Sequence, residues 1–408
     1  MIGLSDIKNL TGFIFLLLLC QFQTAGAGDY DKLSYWMEES GFENIQLNRS
    51  GNTLILAYEN RIFRHEADAI AFLLHEMPLP ESDEIIMLPK YLNIAMLSIQ
   101  INSINLQKYR QGMMDSKDFL SKINLSQNTD YYIQKTNKNL TNPSCFKTDF
   151  LIEPMLSMQL GNFDRPIQAL AEVAPDIQIQ LNKGLILNAQ ALIPIYNNLK
   201  SMEGAKVRAG IINLSQNIRL PDNFFVTASI GTFSYDRFGV DFKTKKYFLN
   251  GLLGIYTQMG YTTWTNVGNT YEDRYFEKDN YFIGRLGGEY RFAAYDLLIS
   301  ASYGTFLYQD KGWRFDLLRQ FDDLIVGFNG ILTTDTYNVG FYLSIPVFPK
   351  KYANINKVRI RPSHYFNWGY NFRGQTYAGK NYSTGENILQ KSRDFNPYFI
   401  KNQLIIRL

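Results

Sequence analysis

The chain has 408 residues, with 41 basic against 38 acidic side chains, two cysteines and three histidines. A net charge of +3 gives no electrostatic case for nucleic acid, two cysteines exclude a disulfide framework or a cysteine-based zinc site, and 46% hydrophobic residues exclude general disorder. The aromatic load, 29 Phe, 27 Tyr and 4 Trp, is high for a chain of ordinary charge, and the pattern along the sequence must account for it.

Residues 1–27 read as an export signal. Lys8 precedes an apolar run from Thr11 to Cys20, and Ala25-Gly26-Ala27 supplies a small-x-small cleavage site. The run is shorter than the ~20 apolar residues a membrane helix needs, and no later stretch is longer. The compartment is therefore expected to lie outside the cytoplasm.

Residues 28–105 read as a small α/β unit in the order αββαββ. Leu33, Trp36 and Met37 sit at helical spacing and Gly41 closes that helix. Strands are expected at 45–47 and 53–58 around the turn Asn48-Arg49-Ser50-Gly51-Asn52. Ala67, Ile70, Ala71, Leu74 and Met77 share one face of a second helix, stopped by Pro78 and Pro80. Strands at 84–88 and 94–101 follow, around Pro89-Lys90. His65 and His75 are ten positions apart, not the i, i+4 spacing of a shared zinc, so no metal or cofactor is expected. Residues 106–147 read as a linker with one short helical stretch, 116–123.

From residue 148 the chain alternates with a period of two. Phe282, Leu286, Tyr290 and Phe292 fall on one face, and Tyr281, Ile283, Arg285, Glu289 and Arg291 on the other. Tyr295, Leu297, Ile299, Ala301 and Tyr303 oppose Asp296, Ser300 and Ser302. Val173, Ile177 and Ile179 alternate with Glu172, Asp176, Gln178 and Gln180. Segments of ten residues or more exceed the roughly five or six of an average soluble strand and match the ~9–11 of a tilted membrane strand. Lipid outside and a polar lumen inside give this alternation. The expectation for 148–408 is a transmembrane antiparallel β-barrel of roughly 12–14 strands, an even count being usual in bacterial single-chain barrels. The Arg291–Tyr295, Asp310-Lys311-Gly312 and Thr333–Asn338 stretches read as short turns, Thr265–Asn280 and Gly369–Asn396 as long outer loops. Leu404, Ile406 and Leu408 read as the last strand, resembling an outer-membrane insertion signal.

Three stretches carry a family resemblance: Gly231-Thr232-Phe233-Ser234-Tyr235-Asp236-Arg237-Phe238-Gly239-Val240-Asp241; Tyr303-Gly304-Thr305-Phe306-Leu307 with Asp310-Lys311-Gly312 and Phe315-Asp316-Leu317; and Val326-Gly327-Phe328-Asn329-Gly330 with Gly340-Phe341-Tyr342-Leu343-Ser344-Ile345-Pro346. They resemble the YjbH family of exopolysaccharide and capsule biosynthesis proteins. The resemblance implies an outer-membrane barrel with a small periplasmic domain, encoded with polysaccharide export machinery. Expected partners are then outer-membrane lipid, exopolysaccharide and, through residues 28–105, other envelope export proteins.

Inside such a barrel Gln178, Gln180, Tyr281, Arg285, Glu289 and Arg291 have the chemistry to line the lumen and contact glycan. They are also side chains that could simply hydrate and brace a plug. No enzyme is expected. His364 is the one histidine of the barrel region, and its neighbour Ser363 would point to the opposite face of an extended strand. Asp236-Arg237 reads as an ion pair at a bend and Asp322-Asp323 as a solvated turn. A general porin and, further off, a barrel hydrolase are the alternatives.

Overall fold

The computed structural model describes residues 29–79, 81–136, 139–161, 166–199, 206–264, 280–334, 336–353, 357–371 and 378–408. The export signal and most of the 265–280 connection lie outside the described residues.

The N-terminal unit is built on a mixed sheet. Its helices are α1 (Asp29–Glu39), α2 (Glu66–Glu76), α3 (Ser103–Arg110), α4 (Ser116–Ser121) and α5 (Asp130–Ile133). Its strands are β1 (Glu43–Ser50), β2 (Thr53–Glu59), β3 (Glu84–Tyr91), β4 (Ile94–Ala95), β5 (Ser98–Asn102) and β6 (Asn124–Ser126). The sheet order is β1-β2-β3-β5-β6, with β4 beside β3. β2 and β3 are parallel, joined by α2 as the crossover such a pair requires. Gly41, at φ 90°, ends α1 as expected, and the five apolar positions of α2 are buried.

Residues 106–147, read as a linker, belong to this unit. They supply β6 to its sheet and Leu106, Phe119, Leu120, Ile123 and Leu125 to its core. Periodicity missed them because each element is short and the polar Asn and Thr between them read as connecting chain. Pro89-Lys90 lies inside β3 rather than between strands.

Residues 148–371 form a second sheet of 14 strands. They are β7 (Thr148–Leu160), β8 (Ile167–Asn182), β9 (Leu185–Asn197), β10 (Arg208–Leu220), β11 (Phe224–Phe233), β12 (Arg237–Phe248), β13 (Leu253–Trp264), β14 (Asn280–Phe292), β15 (Leu297–Thr305), β16 (Lys311–Phe321), β17 (Leu324–Thr333), β18 (Tyr337–Pro346), β19 (Val358–Pro362) and β20 (Tyr365–Asn371). Consecutive strands from β7 to β18 pair antiparallel, and β20 pairs with β18. β19 pairs with β7 in parallel. The two ends of the sheet order are thus consecutive in the chain, parted only by Ser363 and His364.

The expected faces hold. Phe282, Leu286, Tyr290, Phe292, Ile299 and Tyr303 are exposed, while Tyr281, Ile283, Glu289, Arg291, Ser300 and Ser302 are buried. The exposed set around the sheet is apolar and aromatic, from Phe150 and Ile152 through Phe238, Phe242 and Trp313 to Phe328 and Ile345. The buried set is rich in Asn, Gln, Ser, Thr and charge. A soluble sheet puts these the other way round.

The C-terminus overturns an expectation. Residues 397–407 are not a last strand but helix α7 (Pro397–Arg407), preceded by α6 (Ile388–Asp394). Asn396 caps α7 by accepting from Tyr398 and Phe399 N–H, and Pro397 sits at its first position. The alternation of Leu404, Ile406 and Leu408 is too short to outweigh that start signal. No helix among the described residues is long and apolar enough to cross a membrane.

Candidate functional site

The polar face of the large sheet is occupied by the chain's own C-terminal segment. Starting at the rim that carries the longer connections, Leu307 N–H donates to Lys380 C=O (2.9 Å) and Ser234 N–H to Ser383 C=O (3.1 Å). Tyr382 stacks on Phe233 (5.1 Å between centroids) and donates its hydroxyl to Asp241 Oδ2 (2.8 Å). Gly260 lies under that hydroxyl: a Cβ there would meet Tyr382 Oη at 1.7 Å, so only glycine lets the ring seat. Asn381 donates to Gln258 Oε1 (2.6 Å), Lys243 to Thr384 Oγ1 (2.7 Å) and Asn213 to Thr384 C=O (2.7 Å). Further along, Arg393 donates to Glu289 Oε2 (2.7 Å) and Asn396 to Gly251 C=O (2.6 Å).

At the opposite rim the segment meets the N-terminal unit. Ile388, Leu389, Phe395, Ile400 and Leu404 join the same apolar cluster as α1, α2 and α4. Arg407 bridges Asp68 of α2 (2.6 Å) and Asp323 of the β16–β17 turn (2.8 Å). Asp323 also takes Arg64 (2.5 Å), with His65 at 3.3 Å and Lys350 at 3.3 Å. The expected solvated turn is half right: Asp322 is half exposed and Asp323 is buried beneath three elements. The Arg64, Arg407 and Lys350 charges hold the Asp323 carboxyl below its ordinary range against the cost of burial. Burial drives His65 down, helped by Arg64 and Arg407, so it stays neutral and its Nε2 accepts from Arg64 Nε (3.1 Å).

A second junction network joins Glu43 of β1, Arg359 of β19 and Asp149 of β7, with Arg359 donating to both carboxylates. Arg61 adds contacts to Glu59 (2.7 Å) and Asp149 (3.4 Å). Burial of Glu43 is outweighed by Arg359 and Arg61, which lower its pKa.

The six residues singled out from sequence all lie on this inner side, in different roles. Glu289 binds Arg393, Lys245 (2.7 Å) and Tyr247 (3.1 Å). Arg291 lies over the Phe399 ring and reaches Arg393 C=O (3.4 Å). Arg285 donates to Gln258 Oε1 (3.1 Å). Gln178 donates to Asp176 (2.8 Å), and Gln180 accepts from Arg61 of the N-terminal unit (3.3 Å). Tyr281 is buried against Tyr308 and the fully buried Arg237, which also faces Trp264 and donates to Thr262. Of the Asp236-Arg237 pair, Arg237 is packed inward. Missed by sequence reading were Asp241, Gln258, Asn213 and the whole 378–408 segment.

The segment leaves two cavities of opposite charge. One, of ≈530 Å³, lies toward β7–β10 and is lined by Glu153, Glu172, Asp176, Asp236 and Glu386 with Arg208 as its only Lys or Arg. The other, of ≈370 Å³, lies toward β12–β18 and is lined by Lys243, Lys245, Arg285, Arg314 and Arg393 with Asp316. His364 lies at the first cavity and faces Tyr352, while Ser363 donates to Tyr365 C=O; the two do not form a dyad. No cluster of three metal-ligating side chains occurs among the described residues.

Residues 22–219 match the family model described as "Exopolysaccharide biosynthesis protein YbjH" (YjbH). The matched residues hold the α/β unit and the strands through β10. The stretches that suggested the family, from 231 to 346, lie beyond them. Among solved structures, OmpTdeltaL8, a loop L8 deletion mutant of OmpT and an outer membrane protein of Vibrio cholerae, is 11% identical. The alignment covers 48% of this chain and 86% of that one at a TM-score of 0.27, too low to carry an argument. A comparison with curated proteins gave no match.

Proposed function

Because residues 22–219 match the family model of the YjbH exopolysaccharide biosynthesis proteins, we propose that the chain is an outer-membrane barrel that holds or passes an exopolysaccharide. The single observation that carries this reading is the inside-out sheet. Its exposed face is an apolar and aromatic surface and its buried face is polar. An exposed apolar surface of that extent needs a nonaqueous neighbour, and strands can span a bilayer only when every edge is paired. The bipartite β19–β20 segment supports such closure, since it pairs with both β7 and β18.

In this reading the N-terminal unit sits on the periplasmic rim, where the connections are short. Partners from an export apparatus would dock on that unit. The interior segment weighs against a general diffusion pore, because it fills the space such a pore needs. The cavities offer amides, tyrosines and charge for hydrogen-bonding a sugar chain, and the role is one of binding and passage rather than bond-breaking.

Deleting the gene tests the reading. Surface polysaccharide should be lost or altered while cytoplasmic sugar precursors continue to be made; an unchanged surface polymer would sink it. The barrel is tested separately by heat-modifiable gel migration of the protein from the outer-membrane fraction.

A further inference from the structure

We propose that the cavity toward β12–β18 is a subsite for an acidic sugar unit, one whose ring carries a carboxylate; this rests on the exopolysaccharide reading above. The first observation is a charge imbalance. Lys243 pairs with Asp241 (3.0 Å), Lys245 and Arg393 share Glu289 (2.7 Å each), and Arg314 pairs with Asp316 (2.8 Å). Five cations thus face three carboxylates. Arg285 has no carboxylate partner among the described residues. It bonds to the neutral Gln258 oxygen, and its buried Nε has no acceptor. A guanidinium cannot shed its proton, so an unpaired one in a confined cavity favours an incoming anion.

The second observation is independent of charge. Tyr256 lies directly across the sheet from Gly287, and Tyr342 from Gly327. In each pair the tyrosine ring occupies the place a Cβ would take, with ring atoms within 2.4 Å and 2.1 Å of it. The rings are therefore laid against the glycine backbone rather than standing off the wall. Both line the cavity, where they offer flat apolar surfaces against which a pyranose ring can pack. Gln258, Asn381 and Gln390 border the same space and supply hydroxyl partners. A fork-shaped cation beside two aromatic platforms and several amides fits a sugar acid better than a neutral sugar or an isolated ion. The cavity's ≈370 Å³ falls within the roughly 300–1,000 Å³ of small-molecule sites.

The test uses the purified full-length protein in detergent, titrated calorimetrically with trigalacturonate and with maltotriose, which is neutral and of equal length. Trigalacturonate should bind saturably and at least tenfold more tightly than maltotriose. Arg285→Gln should weaken trigalacturonate at least tenfold without changing maltotriose, and Tyr342→Leu should weaken both. Arg285→Lys should restore part of the loss. Each variant's melting midpoint, compared with the parent, separates lost binding from lost folding. Equal binding of the two sugars, binding of neither, or trigalacturonate binding indifferent to both Arg285→Gln and Tyr342→Leu would overturn the inference. None of these bears on the deletion phenotype, which tests the export reading alone.

Discussion

Replacing Asp323 by Asn probes the contact that ties the sheet, the N-terminal unit and the C-terminal helix together. Asp323 is buried and accepts from Arg64 Nη2 at 2.5 Å and Arg407 Nη2 at 2.8 Å. Arg407 keeps a second carboxylate, Asp68, so the loss falls on Arg64, which is 3% exposed. Its remaining bonds are to the neutral Val347 carbonyl and His65. Breaking one side of a buried pair costs about 3–5 kcal/mol. The Asn oxygen still accepts one bond, worth about 1 kcal/mol, and the arm to the half-exposed Lys350 contributes at most about 1 kcal/mol. The net is about 3 kcal/mol, or roughly a hundredfold in an opening equilibrium. Hydrogen exchange of the α7 amides should accelerate by that factor, while Asp322→Asn should change them little. The wild-type contact should also weaken in acid. The folded pKa of Asp323 is lowered, so its stabilisation is present above about pH 4 and lost as pH falls through the lower folded value. Asp323→Asn should flatten that acid limb. Protection of α7 within a factor of three of wild type would refute the reasoning.

Three further outcomes are expected. Burial raises the Glu66 carboxyl to about 8; a raised pKa stabilises the fold below the unfolded value and loses that stabilisation as pH rises, by about 1.4 kcal/mol per unit between the two. Glu66→Gln should therefore remove the decline in melting midpoint between pH 5 and 8, and a parallel decline in the variant would contradict the assignment. Leu404 is fully buried between α7 and the N-terminal core, so Leu404→Ala should cost about 2–5 kcal/mol, read by denaturant unfolding of the N-terminal unit's tryptophan, Trp36. Leu286 is 59% exposed on the outward face of β14. If that face meets lipid, Leu286→Arg should cost about 2–4 kcal/mol near the bilayer midplane in refolding into vesicles; a neutral result would argue that water, not lipid, covers it.

The large sheet was legible because its signal is local and repeated. An apolar residue at every second position over ten or more residues fixes both strand and face, and Phe282, Leu286 and Glu289 sit where that pattern puts them. The N-terminal helices were legible for the same reason at a period of 3.6. What escaped is what depends on distant partners. Asp323 looked like any acidic turn, since Arg64 and Arg407 lie 259 and 84 positions away. Residues 106–147 carry single buried side chains rather than a periodic face. The C-terminal helix was hidden by a five-residue alternation, although Asn396-Pro397 is a helix start that could have revealed it. The cross-strand pairing of Tyr256 with Gly287 needs the register, which no single strand specifies.

The parallel contact between β19 and β7 has a consequence for the order of synthesis. Twelve antiparallel strands followed by one bipartite strand leave the chain at the rim away from where it began. To end beside α2 the last residues must travel back through the interior. The N-terminal unit, made first, therefore waits for the final two dozen residues before its own core is complete, since Ile400 and Leu404 fill it. A ribosome that stops early releases an N-terminal unit with an apolar groove open to water.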